Sequence, residues 1–151
     1  MPDQAVGVLF LWEGIMPLLA DKTITVYNLR YDPETDTEAE ISTILTGVSV
    51  HQRTVANAAA DGLNAASVSQ IRIFAGRTRA ATQSVRGTLA YADSKYLAPS
   101  EWSAKGAAAA ADAWTLRPGD IVEYNGQRMT ILAVHDNRSG RINPHWYVEA
   151  H

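Results

Sequence analysis

No cysteine occurs anywhere in the 151 residues. That excludes disulfide frameworks, thiolate zinc sites and cysteine nucleophiles, and it fits a reducing compartment. An excess of positive charge is missing too: 13 Lys+Arg stand against 16 Asp+Glu, for a net charge of -3. No bulk attraction to nucleic acid or to an anionic membrane follows from that balance. Nor is there a hydrophobic run long enough to span a bilayer. The most apolar segment, AVGVLFLWEGIMPLLA at 5–20, is too short, contains Glu13 and Pro17, and has Asp3 where a secretion signal carries basic residues. Residues 1–20 read as an apolar N-terminal arm that packs on its own core or on a neighbouring subunit. A secretion signal, or residues added by an upstream start codon, are the competing readings. No internal repeat is visible.

What is present fits one soluble domain, residues 21–151, long enough to bury a real core. The chain is 46% hydrophobic, but much of that is alanine, so the core is smaller than the percentage suggests. TITVYN (23–28) alternates with the two-residue period of a half-buried strand, and ISTILTGVSVH (41–51) is a second strand with Gly47 as a bulge or close-approach point. The acidic stretch 31–40 between them reads as an exposed turn. RTVANAAADGLNAAS (53–67) has a poor apolar stripe and reads as a long loop, and VSQIRIFA (68–75) as the third strand. Two insertions therefore interrupt the strands, at 52–66 and at 76–113. The second holds the basic stretch GRTRAATQSVRG, a short helix within YLAPSEWSAK (96–105), and the alanine run 106–113 as a brief helix or spacer. One or two short helices are expected in all.

The last third carries the sharpest signals. Asn125-Gly126 between strand residues predicts a two-residue hairpin, because a type I′ turn needs positive φ twice. Tyr124 then faces Gln127, Glu123 faces Arg128 and Val122 faces Met129. The Glu123–Arg128 pair places opposite charges across the ladder, worth ~0.2–1 kcal/mol. Next comes HDNRSGRINPHW (135–146), where two histidines, an aspartate and two arginines crowd together. A hairpin centred on Gly140 puts Val134 opposite Trp146 and Leu132 opposite Val148 on one apolar face, joined by Ile121. It leaves His135 and His145 opposed at the loop mouth. Two imidazoles there would bind zinc if a third ligand converged. Asp136 points to the other face if the strand continues, and His51 and His151 have no spacing that targets the site. No nucleophile motif accompanies a histidine base. The polar residues therefore read as loop formers, with no catalytic, metal-binding or cofactor-binding residue assigned. Met129, Ile131 and Tyr147 make the second face of this ribbon apolar, through cover by the inserted segments or through burial against a neighbouring subunit.

The strand order, YLAPSEW, WTLRPGDIVEYNG and the Asp136-Asn137-Arg138 and Pro144-His145-Trp146 loop resemble a family of small minor structural proteins from the head–tail gene cluster of long-tailed bacteriophages. The C-terminal part is similar in kind to head-closure, or stopper, proteins. The resemblance covers the layout of residues 22–151 and is specific only in the last forty or so. It implies a mainly β fold, a small SH3-like antiparallel β-barrel with long inter-strand loops. It also implies a homo-oligomeric ring in the virion neck, made in the host cytoplasm, between portal–adaptor and tail, that closes the DNA channel and offers a tail-docking surface. Such proteins have no active site, need no cofactor and meet no membrane. In stoppers the segment between the second and third strands projects towards the channel; by layout it is Gln52–Ala66, with Gln52, Arg53, Asn57, Asp61 and Asn64 as candidate channel or inter-subunit residues. Arg77, Arg79 and Arg86 are a candidate basic contact, read either as a solvated loop or as meeting acidic partner surfaces or, transiently, DNA. Met129, Ile131 and Tyr147 are the candidate assembly face. Competing readings are a tail-completion or tail-terminator protein, a metal-dependent enzyme using His135 and His145, and a cellular SH3-like peptide-binding module.

Overall fold

A computed structural model describes residues 20–59, 62–140 and 142–151. The elements run β1 (Lys22–Asp32), β2 (Thr37–Ala59), β3 (Gly62–Phe74), β4 (Arg79–Ala81), β5 (Ala90–Tyr91), α1 (Ala92–Lys95), α2 (Pro99–Ala104), α3 (Ala107–Ala111), β6 (Ile121–Tyr124), β7 (Gln127–Asn137) and β8 (His145–Ala150). The sheet order β1-β6-β7-β8-β3-β2 returns to its start because β2 also pairs with β1. All these pairings are antiparallel. The result is a six-stranded closed barrel, with β4 and β5 added outside β2. The fold is mainly β, as expected, with three short helices among the described residues where one or two were expected.

The two-residue period of β1 sends Ile24 and Val26 into the barrel, both at most 1% exposed. They meet Leu45 and Val48 of β2, Ile71 and Ile73 of β3, Val122 of β6, Met129 and Ile131 of β7, and Trp146 and Val148 of β8. Each fully buried aliphatic side chain of this kind contributes about 1.5–3 kcal/mol. Gly47 is the bulge that its sequence position suggested. Lys22 pairs with Val48 and Thr23 with Thr46, so Gly47 has no opposite number on β1. Its φ is +89°, and a Cβ there would lie 3.6 Å from the Ala20 carbonyl oxygen and 3.8 Å from Thr78 Cα. Thr78 Oγ1 donates to the Gly47 carbonyl (2.8 Å) and accepts from the Phe74 amide (2.9 Å). That pair of bonds fixes the excursion after which β4 takes up beside Thr46, just past where β3 leaves β2.

Three sequence expectations need correction. Residues 52–66 are not a loop: β2 continues to Ala59 and β3 begins at Gly62, in one unbroken register from Val48↔Ile73 to Ala59↔Gly62. The acidic 31–40 stretch is mostly strand, with β1 running to Asp32 and β2 starting at Thr37. The 76–113 insertion holds the two short helices expected in it, α2 and α3, and also β4, β5 and α1, which were not expected. Within it α2 starts with Pro99 as its first residue, after Ala98 at the N-cap position. The Asn125-Gly126 hairpin is as expected, with positive φ at both residues and Tyr124↔Gln127, Glu123↔Arg128 and Val122↔Met129 paired. Arg128, however, pairs with Glu40 of β2 and lies 4.4 Å from the Tyr27 ring centroid. Val122, and not Ile121, faces the core.

The barrel is closed at its weakest seam by a buried polar group. β6 pairs with β1 only over Thr25–Tyr27. Just beyond, Asn28 Nδ2 donates to the Thr115 carbonyl (2.8 Å) and to Asp120 Oδ2 (2.9 Å), while the Thr115 amide donates to Asn28 Oδ1 (3.1 Å). Asp120 also accepts from the Leu29 amide and from Arg117 Nε and Nη2. Asn28 is 0% and Asp120 3% exposed, so these groups depend on one another for hydrogen bonds that water does not supply. Asp120→Ala leaves the Arg117 guanidinium and two donors without their acceptor and is expected to cost about 3–5 kcal/mol. Chemical denaturation of the purified chain measures this; a loss below about 1 kcal/mol would mean that the seam closes without the network.

Candidate functional site

The histidine-bearing hairpin folds in a different register from the one its sequence suggested. β7 and β8 pair as Val134↔Val148, His135↔Tyr147, Asp136↔Trp146 and Asn137↔His145, with a bulge between Ile131 and Ala133. The two histidines are therefore not opposed. His145 Nδ1 donates to the Asn143 carbonyl (2.7 Å) and its ring lies 5.9 Å from that of Phe74, whereas the His135 ring lies 5.8 Å from that of Tyr147. Among the described residues no group of three or more His, Asp or Glu side chains is arranged to hold a metal ion.

Asp136 is instead engaged by Arg138. It accepts from Arg138 Nε (2.9 Å), Nη2 (2.6 Å) and the backbone amide (3.1 Å). This bidentate pair holds the Asp136 carboxyl below the usual carboxylate range, first through the Arg138 side-chain hydrogen bonds. It also aims the guanidinium over the Trp146 and Tyr96 rings, at 4.6 and 4.8 Å. Beneath lie three mutually packed aromatic rings, Tyr96, Trp114 and Trp146, with centroids 4.7–5.2 Å apart. Trp114 Nε1 donates to the Ala92 carbonyl (2.8 Å), tying the inserted helical segment to this end of the barrel. The polar tip is thus the lid of an aromatic plug.

The remaining sequence candidates separate. Met129 and Ile131, proposed as an outer assembly face with Tyr147, are 4% and 1% exposed and belong to the barrel core. The bulge at Leu132 is the physical reason: it shifts the alternation by one residue, so Leu132 points outward at 44% exposed while Ile131 stays inside. Tyr147 alone faces out, beneath Arg72 and bonded to Glu149. The three arginines make different contacts. Arg86 donates to the Ala81 and Ser42 carbonyls, stitching its loop to β2. Arg79 sits 3.8 Å over the Tyr91 ring, and Arg77 lies exposed in the turn before β4.

Gln52 and Arg53 are exposed at the base of the β2–β3 ribbon, where Gln52 Nε2 donates to Ser69 Oγ (3.3 Å). Asn57 and Asn64 are paired across the ribbon; Asp61 lies outside the described residues, as does the arm except for Ala20. Past Val48, β2 has left β1, and before Ser69, β3 has not yet met β8. From Arg53↔Val68 to Ala59↔Gly62 the two strands pair only with each other, a ribbon of roughly 20 Å at the usual strand rise. The available signal for it was the Asp61-Gly62 dipeptide, a hairpin-type pair.

Sequence reasoning also missed a groove of about 460 Å³ between the β1–β2 turn and α3, lined by Tyr31, Pro33, Ile41, Ala107 and Ala111 among others. Its rim groups are spent on the chain itself. Arg30 donates to the Lys105 carbonyl and lies 5.6 Å from the buried Trp102 ring, and Asp32 accepts from the Glu34 amide. Among the described residues no helix is long and apolar enough to cross a membrane.

A family model described as a family of unknown function (DUF6751) matches residues 19–151. The chain belongs to that family. No curated protein and no solved structure matches it. In this DUF6751 chain Asp136, Arg138 and His145 are engaged by near neighbours, and over 53–59 and 62–68 the strands of the ribbon pair only with each other.

Two outcomes are expected. Added Zn²⁺ leaves the thermal midpoint unchanged, as differential scanning fluorimetry reads; a rise that His135→Ala and His145→Ala both abolish would restore the metal reading. The depressed Asp136 carboxyl contributes stability that is present above the unfolded carboxylate value near ~3.9 and is lost as pH falls through the lower folded value. Asp136→Asn therefore flattens the acid limb of the stability–pH curve below about pH 4 and leaves its neutral shape alone; an unaltered acid limb would contradict the pairing.

Proposed function

We propose that this chain is a structural subunit of the neck of a long-tailed bacteriophage, a head-closure-type component that acts by ring assembly between portal–adaptor and tail. The observation that carries the reading is the two-stranded ribbon leaving a closed barrel between its second and third strands. In the stopper proteins that the sequence resembles, the segment at this place in the strand order projects towards the DNA channel. The polar residues of the β7–β8 tip support the same reading, because their hydrogen bonds and ring contacts are those of a scaffold. Near-balanced charge agrees with a protein that confines DNA without gripping it.

The reading is tested in the phage that encodes the chain. A gene deletion is expected to give filled heads that lose DNA and fail to join tails, and the chain itself is expected in purified virions and as rings on isolated portal–adaptor complexes by electron microscopy. Its absence from virions would end the proposal. The free chain is also expected to show no measurable retention on double-stranded DNA at about 150 mM salt, where a weak phosphate-contact term is screened; tight salt-resistant binding would point to another role.

A further inference from the structure

We infer that the β2–β3 ribbon is a self-pairing element: the outer edge of β2 over Ser49–Ala59 in one copy takes the outer edge of β3 over Gly62–Val68 in a second copy as its antiparallel neighbour. The inference rests on the ring reading and names the contact that would build the ring's inner part. Among the described residues nothing pairs with either edge, so both present rows of backbone N–H and C=O groups without a strand partner.

Such edges are ordinarily protected by proline, lysine, bulges or shortness. Here residues 49–68 contain no proline and no lysine, with Arg53 and Asp61 as their charged residues. The register between the strands is unbroken, so no bulge twists the edges away. A two-stranded ribbon is also marginal by itself in water, and one so rich in alanine has little side-chain area with which to hold itself together. Length, an unbroken register and poverty of side chains therefore favour an added strand whose bonds are made by backbone.

The second copy is the occupant because one ribbon carries both halves of the contact. Rotation of a hairpin about an axis along its length places the descending β3 of one copy beside the ascending β2 of the next. Every such junction is antiparallel, and the contact is heterologous, so repetition about a rotation axis closes a ring and does not stop at a dimer. Rotation also preserves height along the axis, so residue 54 of one copy falls near residue 67 of its neighbour, the pair that is opposite within each ribbon.

The absence of native cysteine makes the contact directly testable. Single variants Thr54→Cys and Ser67→Cys are purified separately, mixed at high concentration and oxidised, with Gln52→Cys and Ala56→Cys replacing the first to cover a stagger of two residues. A covalent dimer is expected in at least one mixture and in none of the single variants. A shortened chain with residues 54–67 replaced by Asn-Gly is expected to keep the barrel's circular dichroism and lose the oligomers that light scattering detects in the full chain. Oligomers that survive the shortening, with no mixed disulfide, would overturn the edge pairing and leave the ring reading standing. A full chain that stays monomeric at every concentration and on the portal–adaptor complex would overturn both.

Discussion

The Asp120 carboxylate is the constraint on which the barrel's closure depends. Of the seams around the barrel, β1–β6 has the shortest ladder, confined to Thr25–Tyr27. Backbone pairing of that length is a weak latch. Asp120 supplements it by drawing together the Asn28 side chain, the Leu29 amide and Arg117. Asn28 in turn bonds both backbone groups of Thr115. The segment that leads into β6 is thereby fastened to β1 before the ladder begins. Arg117 extends the attachment outward, since its guanidinium lies 4.8 Å from the Trp102 ring and so joins the helical insertion to the same point. A buried carboxylate is tolerable there only because each of its oxygens is supplied with donors.

A second anchor works at the turn between β7 and β8. Arg138, clamped by Asp136, covers Trp146 and Tyr96, and Trp114 packs below them. The 76–113 insertion is held between these two anchors through Trp102 and Trp114, each buried and each donating its indole N–H to a backbone carbonyl. Of the residues that look reactive in the sequence, Asp136, Arg138 and His145 bond within this turn. The β2–β3 ribbon stands apart from both anchors, its strand edges continuing past the barrel.

Much of this was legible residue by residue, and the boundary of legibility has a physical basis. The alternation of Ile24 and Val26, the bulge at Gly47, and the Asn125-Gly126 turn are local signals. Each depends on the stereochemistry of one or two residues, and the structure realises each one. The register of β7 against β8 was not legible, because the bulge beside Leu132 changes which face each later residue takes. That bulge is visible only in the pairing of β7 with β8. The identity of Asp120 as a hub was equally hidden. A Pro-Gly-Asp turn is visible in sequence, but its carboxylate's partners come from strands some ninety residues away.

By itself, then, the order of amino acids determined a mainly β domain without disulfides and its sharpest hairpin turn. Only the tertiary structure decided that residues 52–59 and 62–66 are strand and that His135 and His145 stand apart. Alanine carries no two-residue period, and its intrinsic preference is helical. Its conformation here follows from the unbroken ladder that continues out of β2 and β3. Pairing between strands distant in the chain, and the single-residue slips that steer it, is a property of the assembled sheet and is written in no short segment.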